Sequence, residues 1–229
     1  MEKDKDDAER SLLGRHRYWL DFVPRIFRGG RRAPLASWGQ LKEFAATRSA
    51  FIAQKTLYGY VKTRMGVNFP NMFSDDLYIE SVNIAKMRVY AACLSDLSLY
   101  AVACAYAEPG GDEQDLRARA LECYAKGIAD NIGAAGAEFP AEEAEGELRT
   151  RLASVDWLGT ARTADIFSAS PRALVDWAPI AEELKRYDKK FVRNSIRFAW
   201  RDVRRELERR LDREALRREA LAQAISGGR

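Results

Sequence analysis

Apolar side chains recur along this chain at helical intervals. Leu41, Phe44, Phe51, Tyr58, Val61 and Met65 fall at steps that suit a 3.6-residue period and predict a helix over 38–65. Ser37 and Gln40 form an S-x-x-Q capping box at its start, and Gly66 is placed to end it. The turn from Val67 to Phe73 carries Asn68, Pro70 and Asn71 and is short enough to fold the next helix back antiparallel. Ser74 or Asp75 caps that second helix, which runs through Leu77, Ile84, Met87, Leu94, Leu97 and Tyr106 until Pro109-Gly110-Gly111 stops it. Leu116, Ala120, Tyr124 and Ile128 mark a third helix from near Asp112 to around Gly133. Pro140 opens a fourth, with Ala144, Leu148, Leu152 and Val155 on its apolar side.

After a weakly patterned stretch, Ser170-Pro171 reads as the N-cap and first residue of a long helix. Leu174, Trp177, Leu184, Phe191, Phe198, Val203, Leu207 and Leu211 carry its apolar positions, with Pro179 as a kink or restart. No strand pattern and no fixed-period repeat occurs. The expected fold is all-α, an antiparallel helical bundle with a long basic C-terminal helix and an irregular N-terminal extension. Residues 1–36 are expected as that extension, 37–200 as the bundle, and 201–229 as a projecting charged helix with sparse apolar positions.

Charge changes the picture at the ends. The net value is only +4, yet from Arg10 to Arg32 seven arginines face one acid, Asp21. From Lys185 to Glu219 fourteen bases face seven acids, while Glu108 to Glu147 holds eleven acids against three bases. The segment Val89 to Ala107 approaches the length of a bilayer span with one charge, Asp96. Its Ala, Ser and Tyr content, with an acid at its centre, predicts a core helix instead. Cys93, Cys104 and Cys123 lack metal-binding spacing and read as buried thiols in a reducing compartment. With an acidic, charged start in place of a signal sequence, the expected location is the cytoplasm, with access to the inner membrane surface.

The usual enzymatic signals are absent. His16 is the only histidine and lies in the extension, which removes support for a Ser-His-Asp or Cys-His centre and for a histidine-rich metal site. No phosphate-binding loop, dinucleotide fingerprint or Gly-x-Ser-x-Gly elbow occurs. No catalytic residue, metal or cofactor is therefore expected. Asp75, Asp76 and Glu80 suit a helix start on dipole grounds alone. Asp96, among Leu94, Leu97 and Leu99, needs a partner if it faces inward, and Arg48, Lys55 and Lys86 are the candidates, giving a buried polar cluster.

Two stretches read as contact surfaces for a partner. Tyr58, Tyr60, Arg64 and Asn68 gather where the first helix meets its turn, a mixture enriched at interfaces and equally at home as packing. In the extension Trp19, Phe22, Arg25 and Arg28 interleave aromatic rings with bases, which suits an anionic membrane surface, a protein groove or the chain's own bundle. The C-terminal bases alternate with acids at i,i+3 and i,i+4, the pattern of a solvated ion-paired helix rather than a nucleic-acid surface. From Arg48 to Ala107 the chain resembles short helical bacterial proteins of unassigned role, some of which carry an esterase label; that resemblance transfers no site residue. The expected function is a non-catalytic adaptor or assembly factor that contacts a protein partner or membrane through its basic ends. An enzyme or ligand-binding site around Asp96 is the second reading, and a DNA-associated regulator using the C-terminal helix the third.

Overall fold

The structure is a computed structural model, and it describes residues 33–69, 74–108, 112–131, 139–163 and 165–227. Helix α1 (Trp38–Met65) begins at Ser37, whose hydroxyl accepts from the Gln40 amide at 3.3 Å while Gln40 Oε1 accepts from the Ser37 amide at 3.2 Å. The capping box is thus present and satisfies both amides. Gly66 ends α1 at φ 54°, a left-handed backbone that a side chain would strain. Helix α2 (Asp76–Tyr106) is capped by Asp75, which accepts from the Leu77 and Tyr78 amides at 2.9 and 3.3 Å. Helices α3 (Glu113–Asn131) and α4 (Ala141–Leu152) lie close to their predicted bounds.

Helix α2 is the axis of the bundle. Leu94, Leu97, Leu99, Tyr100 and Val102 are fully buried along it, and α1, α3 and α4 pack around it. A helix apolar on every side is stable in water only when others surround it. It is long and apolar enough to cross a membrane, but 89% of its most apolar window is buried inside the protein.

Beyond α4 the chain departs from expectation. The weakly patterned stretch holds a short helix, α5 (Trp157–Arg162), capped by Asp156 through the Gly159 amide, with Trp157 buried. The single long helix is instead three: α6 (Ala169–Trp177), α7 (Glu182–Arg210) and α8 (Arg213–Gly227). Pro179 acts as a restart, and Lys185 Nζ reaches back to donate to the Asp176 carbonyl at 2.9 Å, where a cation meets the negative end of α6. The N-cap of α6 is Ser168, not Ser170, and its side chain makes no capping bond. The remaining helices α5, α6 and α8 complete the packing around α2.

The break between α7 and α8 is made by a distant segment. Leu35 pairs in parallel with Leu211: its amide donates to the Arg210 carbonyl at 2.7 Å, and the Asp212 amide donates to the Leu35 carbonyl at 3.1 Å. Asp212 then caps α8 by accepting from the Ala215 amide at 3.0 Å. Leu35 is buried, so the core begins before residue 37. Val203, Leu207 and Leu216 are buried too, so much of 201–229 is packed rather than projecting. Among the apolar positions assigned to the long helix, Leu174, Val203 and Leu207 face the core, whereas Trp177, Leu184, Phe191 and Phe198 are exposed.

Candidate functional site

Asp96 is wholly buried in the middle of α2, as its neighbours predict. Its partner is not Arg48, Lys55 or Lys86 but Arg151, on α4, with a nitrogen–oxygen separation of 2.8 Å. The same guanidinium donates to Ser95 Oγ at 2.5 Å and to the Ile166 carbonyl at 2.7 Å. Asp96 also accepts from the Ala169 amide at 3.2 Å, the Ser170 amide at 2.8 Å and Ser170 Oγ at 2.6 Å. Trp200 Nε1, from α7, donates to that hydroxyl at 2.9 Å. Asp96 therefore caps α6 from another helix, supplying the negative charge that the helix N-terminus favours and that Ser168 does not provide. Burial pushes the carboxyl upward, while the Arg151 charge and the three donors pull it back. Cys93, one turn earlier, has its thiol pushed well above the ordinary range, first by burial and then by the Asp96 charge.

The other members of the expected polar cluster lie apart. Arg48 binds Glu206 of α7 in bidentate fashion at 2.8 and 2.6 Å, and Arg210 joins the same carboxylate at 2.8 Å. Lys55 is exposed, with its ammonium 5.6 Å from the Phe51 ring. Lys86 is buried, and desolvation lowers its ammonium below the ordinary value. Among the described residues no three His, Cys, Asp or Glu side chains gather to hold a metal ion. Beside the Asp96 knot a cleft of about 390 Å³ opens between α2, α4 and α6, walled by Arg88, Ser95, Arg151, Arg172, Asp176 and Trp177.

At the end of α1 two of the expected contact residues, both tyrosines, are engaged within the protein. Tyr58 packs edge-on against Phe69 at 5.8 Å, and its phenol is pushed strongly upward by burial. Tyr60 is buried and donates to Asp188 of α7 at 2.9 Å; Arg64 binds the same carboxylate. Burial first, and then the bond to Asp188, push the Tyr60 phenol up to about 12. Of the four, Arg64 and Asn68 are exposed, Arg64 with its charge paired to Asp188 and Asn68 in solvent beside Val67. Trp19, Phe22, Arg25 and Arg28 lie outside the described residues.

A further surface lies on α7, which carries two apolar stripes on opposite sides. Val192, Ile196, Ala199, Val203 and Leu207 face the core. Tyr187, Phe191 and Phe198 face outward, 72%, 71% and 61% exposed, with Leu184 beside them. At about 100° per residue the three rings fall within about 40° of one another around the helix. Arg186, Lys190, Arg193, Arg197 and Arg201 form a second row next to them, all exposed. Arg186 lies 4.9 Å from the Tyr187 ring centroid and Arg201 4.2 Å from that of Phe198. Among the described residues none of these five bases enters an ion pair. In the sequence this stripe is the seven-residue step Leu184, Phe191, Phe198, interleaved with the inward positions.

Comparison with known protein families, curated proteins and solved structures finds no match for this chain.

Proposed function

We infer that this is a non-catalytic interaction protein whose working surface is the outer face of α7, and that it docks there on an anionic partner. The observation that carries this reading is the row Tyr187, Phe191 and Phe198 standing in solvent beside five bases that form no ion pair among the described residues. Isolated exposed apolar residues are ordinary, but an aligned aromatic row rimmed by charge is what a contact surface offers. The interior supports the same conclusion, because the Asp96 carboxylate is already engaged by Arg151, Ala169 and Ser170.

Density fractionation of cell extract tests the reading. The wild-type chain should migrate with heavier material, and Tyr187→Ser/Phe191→Ser/Phe198→Ser should move to the position of the free 25.9 kDa chain. Identical migration of the two would remove α7 as the docking face.

A second reading rests on the cleft. Arg151 is held rigid by Asp96 and still 20% exposed, Arg172 is exposed, and Arg88 lies 4.3 Å over the Trp177 ring. Preset guanidiniums beside an aromatic wall suit a small carboxylate or phosphate. Isothermal titration with such anions, compared between the wild type and Arg172→Gln, decides it: heat that disappears in the variant supports a ligand site, and no heat removes it.

A further inference from the structure

We propose that the outer face of α7 lies flat on an anionic lipid bilayer, with its rings at the headgroup level and its base row on the lipid phosphates. This rests on the docking reading above and names the partner.

Charge decides among the occupants. From Glu182 to Asp202 the helix has seven bases and four acids; Asp188 is bound by Arg64 and Tyr60 and Glu182 by Lys185, while Glu183 and Asp202 stand at the two ends of the row and leave it net positive. The buried Lys185 is committed to Glu182 and the Asp176 carbonyl, and Lys189 lies on the far side of the helix from the rings, which leaves Arg186, Lys190, Arg193, Arg197 and Arg201 facing a partner. A second copy docked by two-fold symmetry would set this row against itself, like charge on like charge. The chain's own stretch from Arg10 to Arg32 carries seven arginines and one acid and repels the row, and residues 2–9, with five acids and two lysines, match its charge but offer only Ala8 to cover the rings. The occupant must therefore be negative.

Shape separates a bilayer from a nucleic acid. The rings stand on the exposed side of a 29-residue helix, which is a convex surface. Single strands are tracked by concave grooves in which bases stack, and duplex bases are closed to stacking. A convex face that carries its rings in one row meets a plane more readily than it encloses a strand. Phe, Tyr and Leu side chains with guanidiniums beside them match the boundary between headgroups and acyl chains. Each base near an anionic surface adds about 1 kcal/mol, so the five of the row give strong attraction that salt weakens.

Co-sedimentation of the full chain with vesicles tests this directly. Vesicles of phosphatidylcholine with about 30% phosphatidylserine should carry the protein down at about 0.1 M salt, and pure phosphatidylcholine vesicles should not. Tyr187→Ser/Phe191→Ser/Phe198→Ser should lower binding at least about tenfold, since three rings no longer leave water. All three positions are exposed, so its melting temperature should stay within about 2 °C of the wild type. Trp19→Ser/Phe22→Ser controls for the N-terminal aromatics and should sediment as the wild type does. A wild-type chain that stays in the supernatant overturns the lipid assignment. If the α7 variant still changes fractionation in extract, docking stands with another polyanion, and a gel shift with single-stranded RNA identifies that case. An α7 variant that sediments like the wild type, or binding lost only in the Trp19/Phe22 variant, also overturns the proposal.

Discussion

At the scale of single residues, the fold hangs on how Asp96 is satisfied. A carboxylate taken wholly out of water is tolerable only when its charge and lone pairs find partners. Here Arg151, two α6 amides and the Ser170 hydroxyl supply them. Asp96→Ala removes the α6 cap and strands a largely buried guanidinium, and it should cost about 3–5 kcal/mol in urea unfolding. Ser170→Ala deletes one donor to Asp96 and the acceptor for Trp200 Nε1, for a smaller loss of about 1–3 kcal/mol. A loss below about 0.5 kcal/mol for Asp96→Ala, the range of exposed sites, would contradict this account. That Asp96 needed a partner was legible from Leu94, Leu97 and Leu99. The identity of the partner was not, because Ser95 and Arg151 meet across 56 positions of chain.

At the scale of helices, close approach and helix ends set the sensitive points. Gly127 lets α3 lie against α2: an added Cβ there would stand 2.6 Å from Leu94 Cδ2 and 3.2 Å from Tyr90 Oη. The Gly127 carbonyl also accepts from that phenol at 2.8 Å. Leu94 is fully buried and has nowhere to swing, so Gly127→Ala should destabilise by about 1–3 kcal/mol despite alanine's better helix propensity. Gly146, in α4, has nothing within 4 Å of the same added atom. Gly146→Ala should therefore stabilise, by about 0.4–1 kcal/mol. Thermal melts of the two variants should shift in opposite directions. The ends of α1 and α2 were legible because Ser37, Gln40, Gly66 and Asp75 act within a turn of their own helix. The end of α7 was not, since it is set by Leu35.

At the scale of the whole molecule, Leu35 ties the start of the described chain to the junction of α7 and α8. A chain beginning at Ala33 keeps that tie, and one beginning at Ser37 loses a buried leucine with two backbone hydrogen bonds. The shorter chain should melt roughly 5–10 °C below the longer one, following the loss of about 1.5–3 kcal/mol from the side chain alone. Buried acidic groups set the alkaline limit. Burial pushes the Cys123 thiol from 9.0 up to about 11, and the phenols of Tyr78 and Tyr106 up to about 12. Above pH 9 the unfolded chain loses these protons before the folded one does, so stability falls as pH rises through this window. Cys123 contributes about 2–3 kcal/mol of that fall between pH 9 and 11. Urea midpoints measured across that window should decline, and less steeply in Cys123→Ala. Glu122 acts on the acid side. Burial pushes its carboxyl up, but Lys42 and Trp38 pull it down further, to below 4.5. Its stabilisation is present above 4.5 and is lost as pH falls through the lower folded value, so Glu122→Gln should soften acid unfolding.

The sequence by itself determined the fold class, the bounds of the first four helices, the central place of α2 and the burial of Asp96. Each of these follows from local chemistry: a cap that acts on the next few amides, a period that gathers apolar residues on one side, an acid surrounded by leucines. Tertiary structure alone decided which of the two apolar stripes of α7 faces inward, because periodicity reports that Phe191 and Ile196 lie on different sides but not which side another helix covers. It also decided that Arg151 rather than Arg48 meets Asp96, and that Leu35 interrupts a continuous helical pattern at Leu211. Such contacts join residues far apart in the chain, as in the 177 positions between Ala33 and Arg210, and are set by how whole helices pack rather than by any neighbouring residue.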